Sequence, residues 1–165
     1  FTMVEQEYTL EEISYSRKED RRIMESVLNN WFMDPKILNF ISPDFNYPFR
    51  FKKWISKYYR KDITNITTII LKHNDWIIGH ASIHIDGMNG RVFHLFIDEP
   101  HRNNGLGIKL MQGIENYGIK SGVQSIQIYI QKKNIIGYRL FQRLGYIDQK
   151  EPNSNLIRMY KNVNN

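Results

Sequence analysis

The spacing of hydrophobic residues changes near residue 65, and this change constrains the fold more than any other feature of the sequence. Before that point, hydrophobic residues recur every three or four positions, which is typical of amphipathic helices. After it, runs rich in isoleucine alternate with polar residues and are separated by short turns, which is typical of antiparallel strands. Together the two patterns predict an α+β domain in which helices pack against a mixed sheet.

Turn and cap residues set the boundaries of the predicted elements. Asp34-Pro35 ends the first long helix, Gly122 ends the third, and Asn134 caps the last. The predicted order is β-α-α-β-β-β-α-β-α-β-β, a largely antiparallel mixed sheet of about seven strands with about four helices. The strands cover about residues 8–15, 66–72, 76–85, 91–98, 124–131, 146 onward and 155–160, and the helices about residues 17–32, 51–61, 106–120 and 134–144.

Several classes of protein are excluded by what the sequence lacks. The 165 residues include no cysteine, which excludes a disulfide framework, a zinc–thiolate site and a cysteine nucleophile. No run of about 18 apolar residues is present, and the first residues lack the basic and apolar regions of a signal peptide. We therefore expect a soluble, cytoplasmic protein with no membrane partner.

Positive charge is concentrated in the second part of the chain. Residues 1–65 carry 11 basic and 10 acidic side chains, residues 66–165 carry 12 and 7, and the net charge is +6. The excess either serves an anionic ligand or is ordinary solubility charge. The helix over residues 51–61 combines lysines with aromatic residues, but its helical period explains that pattern without nucleic acid, which we do not expect as a partner.

A strand, a short polar loop and a helix that begins at two glycines follow one another between His94 and Ile108. The first amides of a helix lack intrahelical partners and carry partial positive charge from the helix dipole. Gly105 and Gly107 let a ligand approach their backbone closely, and Arg102 adds a full positive charge. This arrangement suits a phosphate or pyrophosphate. The sequence has neither a P-loop nor the standard dinucleotide fingerprint.

Two segments of the chain fit known signatures. The run Arg102-Asn103-Asn104-Gly105-Leu106-Gly107 fits the pattern Arg/Gln-x-x-Gly-x-Gly/Ala, and the run from Asn134 to Tyr146 begins at an asparagine and ends in Leu-Gly-aromatic. In this order, with a helix and a strand between them, they resemble the pyrophosphate signature and the second signature of the GNAT superfamily of acyl-CoA N-acyltransferases. The resemblance covers about residues 66–146 and implies a GNAT-like fold.

The resemblance implies a site for acetyl-CoA as a co-substrate. Leu95, Phe96 and Ile97 would hydrogen-bond the pantetheine arm through backbone groups. Asn134 and Phe141 would contact the cofactor from the last helix. The pyrophosphate would be held by Arg102, Asn103, Asn104, Gly105, Leu106, Gly107 and Ile108.

The same resemblance gives roles to three parts of the single domain expected over residues 1–165. Residues 1–65 would shape the acceptor side, residues 66–146 would form the cofactor-binding core, and residues 147–165 would close the sheet. The implied partners are acetyl-CoA and an amine acceptor, a small molecule or a protein, whose identity the sequence does not reveal. A homodimer is left open.

The implied reaction is direct attack of a primary amine on the thioester of acetyl-CoA, which needs a base, a donor to the oxyanion and often an acid. The tyrosine that usually serves as the acid is replaced by Phe141, and a glutamate often found on the preceding strand is Tyr129. Tyr138, one helical turn from Phe141, is a candidate acid or a packing aromatic. The alternative function is an acyl-CoA-binding regulatory module with little or no catalysis.

Histidine is a candidate base because it titrates near neutral pH. His84 and His94 would act directly or through water, and a hydrogen-bonded histidine of the sheet is the alternative for each. A hairpin that pairs Ile85 with Arg91 would place His94 on the face of His80 and His84. Histidines four residues apart on a strand are too distant to share an ion, so no metal site is expected. The acidic alternatives are Asp98 and Glu99.

Overall fold

The computed structural model describes residues 7–98, 105–149 and 154–163. In this part of the chain, seven strands and five helices are present. The strands are β1 (Tyr8–Ile13), β2 (Ile66–His73), β3 (Trp76–Asp86), β4 (Asn89–Ile97), β5 (Ser125–Gln131), β6 (Ile147–Gln149) and β7 (Leu156–Asn162). The helices are α1 (Lys18–Trp31), α2 (Pro35–Ile41), α3 (Phe51–Tyr58), α4 (Leu106–Lys120) and α5 (Ile135–Arg143).

The strands form one sheet in the order β1-β2-β3-β4-β5-β7-β6. Strands β4 and β5 are parallel, and the other neighbouring pairs of the described strands are antiparallel. This confirms the predicted α+β class. Helix α2 is not part of the predicted order, although the sequence of residues 36–50 is typical of a short helix followed by a loop. Asp34 caps it by accepting a hydrogen bond from the Lys36 amide at 2.9 Å, and Pro35 occupies its first turn.

The register between β3 and β4 differs from the prediction by one residue. Ile85 pairs with Gly90 and not with Arg91, because the turn that joins the strands contains only two residues and Gly87 adopts a φ of 59° there. A β-bulge then shifts the register again. Since His80 pairs with Phe96 and Ser82 with Phe93, the two residues His94 and Leu95 lie opposite Ala81.

A gap opens between the parallel strands β4 and β5. Their register contains four residue pairs, from Asn89 with Ser125 to Val92 with Ile128. Beyond Val92, β4 continues to Ile97 along β3, and β5 continues along β7. The bulge in β4 begins directly after the last pair, so the strand bends at the point where it leaves β5.

Two hydrophobic cores lie on opposite faces of the sheet. Helices α4 and α5 cover one face, and α1, α2 and α3 cover the other. The alternation of a strand is visible in β2, where Ile69 and Leu71 point to the first core and Ile70 to the second. No helix among the described residues is long and apolar enough to cross a bilayer.

Helix α3 places its aromatic residues inside and its lysines outside, as its period predicts. Trp54 is completely buried, whereas Lys52, Lys53 and Lys57 are exposed. The second core is therefore built largely from aromatic rings, and the basic surface is the solvent-facing side of the same helix.

Helix α4 offers a matched test of the first core. Ile114 is fully buried, and Ile119 on the same helix is 40% exposed. Both alanine substitutions change helix propensity equally, so their difference reports burial. We expect Ile114→Ala to lower the free energy of unfolding by about 2–4 kcal/mol and Ile119→Ala by less than about 1 kcal/mol. Urea denaturation measures both, and equal losses would contradict the packing of α4 described above.

Candidate functional site

The N-terminus of α4 presents backbone amides that have no partner within the helix. Gly105 is the N-cap in the left-handed conformation, with a φ of 71°, and no described side chain caps the helix. The first amide to donate within the helix is that of Lys109, which reaches the Gly105 carbonyl at 3.2 Å. The three preceding amides, those of Leu106, Gly107 and Ile108, thus have no acceptor within the helix. Together with the helix dipole they favour an anion.

The two glycines at this helix end, Gly105 and Gly107, differ in how closely described residues pack around them. A Cβ on Gly105 would have no described atom within 4 Å, whereas a Cβ on Gly107 would lie 3.1 Å from Leu140 Cδ2. Gly107 therefore lets α5 approach α4, and Gly105 is not crowded by any described residue. Three residues predicted to hold the pyrophosphate lie outside the described residues: Arg102, Asn103 and Asn104.

Asn134 is the N-cap of α5. Its Oδ1 accepts a hydrogen bond from the Gly137 amide at 2.9 Å. A Cβ on Gly137 would lie 2.7 Å from Asn134 Nδ2, so glycine at this position makes room for the cap. The asparagine oxygen is thus occupied inside the helix, and the amide group remains as its hydrogen-bond donor toward a ligand.

The end of β4 leads toward this helix end. Leu95 and Ile97 are half-buried against the first core, whereas Phe96 is buried in the second and lies against Trp31 with ring centroids 4.7 Å apart. The backbone of these residues borders the gap between β4 and β5. The predicted pantetheine segment therefore comes shortly before the predicted pyrophosphate site in the chain. Residues 99–104, between the described parts of the two, lie outside the described residues.

The acid candidate Tyr138 and the two residues at the usual acid and glutamate positions, Phe141 and Tyr129, differ in their surroundings. Phe141 is buried in the first core and contacts Tyr146 edge-on, with centroids 5.6 Å apart. The half-buried Tyr138 packs on the same core, and its hydroxyl donates to Asp148 Oδ2 at 3.4 Å. Tyr129 is 41% exposed. An acid role for Tyr138 stays a prediction.

His94 is buried in a network of polar side chains under the second face. Its φ is 51°, a left-handed conformation at the β-bulge. Its Nδ1 lies 2.8 Å from the Tyr59 hydroxyl, and its Nε2 lies 3.0 Å from Ser42 Oγ. Trp54 stacks on the imidazole at 4.6 Å and donates from Nε1 to Ser42 Oγ at 2.9 Å. Both ring nitrogens of His94 are therefore occupied.

Burial determines the protonation of the two inner histidines. It lowers the pKa of His94 well below its ordinary value, with smaller effects of His80 and Arg91 in the same direction. Burial also lowers the pKa of His80 to about 4, against a hydrogen bond to the His94 carbonyl that raises it. Both rings are neutral at pH 7, so protonating His94 during a reaction is costly. A direct base role for His94 stays a prediction.

His84 lines a different part of the same sheet face, a polar cleft of about 450 Å³. It pairs directly with Arg91 across the strands. The Arg91 guanidinium lies 4.8 Å from the centre of the Phe93 ring, and Arg158 donates to Gln149. In the part of the chain that the structure describes, no group of three or more histidine, aspartate or glutamate side chains is placed to hold a metal.

Sequence reasoning missed the partners of the histidines. Tyr59 is one of the aromatic residues of the helix predicted over residues 51–61, and neither Ser42 nor Tyr15 carries a local signal. All three hydrogen-bond histidines that are far away in the sequence. The hint available in the sequence was the pair Tyr58 and Tyr59 among the hydrophobic residues of that helix, since a buried hydroxyl usually needs a partner.

Comparisons with known proteins agree with this geometry. A model of the acetyltransferase (GNAT) family matches residues 27–146. An uncharacterized N-acetyltransferase of Methanocaldococcus jannaschii is 27% identical over 75 residues, which are 45% of this chain and 48% of that protein. The match thus spans about half the length of that relative.

Solved structures share the fold at low sequence identity. The GNAT domain of S. lividans PAT superimposes with a TM-score of 0.76 at 13% identity, covering 93% of this chain and 89% of that one. The PaiA N-acetyltransferase of Thermoplasma acidophilum, in complex with coenzyme A, superimposes with a TM-score of 0.70 at 14% identity, covering 94% and 99%. The chain belongs to the GNAT acetyltransferase family, as the family match shows.

The neutral inner histidines predict a pH dependence of stability. Because their pKa values are lower in the folded chain than the ordinary 6.5, the unfolded chain takes up protons first on acidification. The contribution of each is complete above about pH 6.5 and falls as the pH decreases, and that of His80 is lost as the pH falls toward 4. We expect the free energy of unfolding to fall by up to about 1.4 kcal/mol per pH unit for each histidine.

Urea denaturation between pH 7 and pH 5 measures this slope. His80→Gln removes one of the two titrating groups, so its slope should be smaller than that of the wild type, whatever the stability of the variant at pH 7. Equal slopes in the two proteins would contradict a titration of the buried His80.

Proposed function

We propose that the protein is an N-acetyltransferase that moves the acetyl group of acetyl-CoA directly to a primary amine of an acceptor. The observation that carries this proposal is the N-terminus of α4 at Gly105, which no described side chain caps, together with the end of β4–β5 pairing at Val92. Membership of the GNAT family supports it. A helix end binds phosphate, and the backbone of a strand can bind an extended, amide-containing arm. Acetyl-CoA contains both groups.

In the proposed complex, the amides of Leu106, Gly107 and Ile108 hold the pyrophosphate. The backbone of Leu95, Phe96 and Ile97 pairs with the pantetheine arm in the manner of a strand, and Asn134 approaches it from α5. The bound PaiA structure is a relative with coenzyme A in place, which supports the same ligand class for this chain.

The acceptor enters, in this proposal, from the other face of the sheet through the cleft that contains His84. His84 is the better placed of the two predicted bases because it lines an open cleft, whereas the nitrogens of His94 are occupied. Since the chain contains no cysteine, transfer through an acyl-cysteine is excluded, and direct attack by the amine remains the simplest route.

An acyl-CoA-binding regulatory module is the second candidate, and Phe141 and Tyr129 at the usual acid and glutamate positions favour it. Thiol release from acetyl-CoA across a panel of small amines, peptides and proteins separates the two functions. Release that depends on one class of amine supports the enzyme. Binding of acetyl-CoA without release for any amine in the panel supports the module.

A pair of glycine variants tests the pyrophosphate site. Gly105 and Gly87 both have positive φ, 71° and 59°, and a Cβ at either would have no described atom within 4 Å. Valine therefore imposes similar backbone strain at both. Gly105→Val should weaken coenzyme A binding at least tenfold by obstructing the helix end, whereas Gly87→Val, in the β3–β4 turn, should not. Calorimetry measures both, and unchanged affinity of Gly105→Val would refute the assignment.

Tyrosine variants test the acid. If the Tyr138 hydroxyl protonates the leaving thiolate, Tyr138→Phe should lower kcat by about 10²-fold or more and leave coenzyme A affinity unchanged. Tyr117→Phe is the control, because the Tyr117 hydroxyl accepts a hydrogen bond from Thr67 on the first core and has no proposed role. An unchanged kcat for Tyr138→Phe would show that the Tyr138 hydroxyl is not the acid and that the side chain only packs on the first core.

A further inference from the structure

A row of polar side chains crosses four neighbouring strands of the sheet. The strand register pairs each member directly with the next, in the order His84, Arg91, Gln127 and Tyr160. Ile126 and Ile128 point to the first core, so Gln127 between them, and the row with it, points to the opposite face. All four residues line the polar cleft of about 450 Å³ through which the acceptor is proposed to enter.

Arg91 brings a positive charge close to the gap between β4 and β5. The next residue, Val92, is the last residue of β4 that pairs with β5. The Arg91 guanidinium lies 4.8 Å from the centre of the Phe93 ring, two residues nearer the end of β4, so the side chain leans toward the gap. Burial is the main cause of the lowered His94 pKa, and the charge of Arg91 is a smaller cause in the same direction.

The polar groups of this row make no side-chain hydrogen bond or ion pair with another described residue, although all four side chains are half-buried. The inner histidines differ, because His80 and His94 have a partner at each ring nitrogen. Polar groups in a cleft bind water or a ligand when the protein supplies no partner. The row therefore offers an imidazole, a guanidinium, an amide and a hydroxyl to a molecule in the cleft.

The described lining of the cleft carries more positive than negative charge. It includes Arg91 and Arg158, and Asp86 is its one acidic side chain. Arg158 donates to Gln149. Asp86 is exposed at the end of β3 and forms no ion pair with Arg91. A guanidinium without an acidic partner among the described residues attracts an anion, and its planar fork matches the two oxygens of a carboxylate.

We propose that Arg91 selects the acceptor, and that the acceptor is a primary amine whose molecule also carries a carboxylate. This inference rests on the proposed function. The carboxylate pairs with the Arg91 guanidinium, and the Gln127 amide and the Tyr160 hydroxyl donate to it from the neighbouring strands. The amine extends along β4 toward the gap. Since a strand advances about 3.3 Å per residue, a short acceptor such as an amino acid or the first residues of a peptide spans the distance.

The carboxylate has two possible sources, and two sets of acceptors distinguish them in a thiol-release assay. The first set compares free amino acids with their carboxamides. The second compares peptides that differ only by aspartate or asparagine at the second position. We expect kcat/KM to be roughly 10- to 100-fold higher for the acid in one of the sets, and that set identifies the source. Equal values in both sets, or a preference for polyamines or phosphorylated amines, overturn the inference.

Variants of Arg91 test whether the guanidinium is responsible. Arg91→Gln should lower kcat/KM for the acid to that for its amide counterpart, and Arg91→Lys, which keeps the charge without the fork, should retain part of the preference. Arg22→Gln is the control, because it removes the same charge from an exposed arginine of α1 that pairs with Glu19. The pKa values of the amines cancel, since every protein receives the same acceptors. An unchanged preference in Arg91→Gln overturns the inference.

Binding of the acetylated products measures the cleft without turnover. We expect the N-acetylated acids to bind the wild type at least about tenfold more tightly than the matching amides in NMR titrations, and this difference to disappear in Arg91→Gln. Equal Kd values in the wild type overturn the inference, even if a variant does not fold. If the acids bind preferentially and no amine gives thiol release, the proposed function is refuted and the carboxylate site at Arg91 stands.

Discussion

Pairing between β4 and β5 stops at Val92 and Ile128, and the remaining architecture depends on this interruption. A parallel sheet that continued would bury its backbone groups in a ladder and leave no room for a ligand. Here β4 stays attached to β3 through a bulge, while β5 stays attached to β7. Beyond Val92 and Ile128 the two strands therefore follow different neighbours and no longer pair with each other.

The two faces of the sheet are packed with different kinds of residue around the gap. The face under α4 and α5 is an aliphatic core that holds both helix ends close together, as the contact of Gly107 with Leu140 indicates. The face under α1, α2 and α3 is aromatic and contains buried polar groups. Burying histidines costs free energy unless each nitrogen has a partner, and Tyr15, Tyr59 and Ser42 provide them.

Local patterns were sufficient for most elements, including the helix start at Gly105 and the cap at Asn134 where the cofactor is proposed to bind. Gly105 and Asn134 act within a few residues of their own positions, one as a left-handed helix start and one as a cap, so sequence spacing could predict them. The register of β3 with β4 was wrong by one residue because a two-residue turn replaced the longer predicted one. The surroundings of His94 could not be predicted, since Ser42 lies 52 residues away and joins it only through the packing of α2 on the sheet.

Phe141 and Tyr129 replace the usual acid and glutamate. The proposed reaction must therefore proceed without the proton transfers that those two groups would provide. A thiolate with a pKa near that of a cysteine, about 8.5, leaves tolerably without a dedicated acid. The barrier then lies mainly in deprotonating the amine and in charge developing on the carbonyl oxygen. Placement of the reactants and a fixed donor reduce that barrier without any titrating group. The two inner histidines do not supply such a group near pH 7, because burial lowers both pKa values.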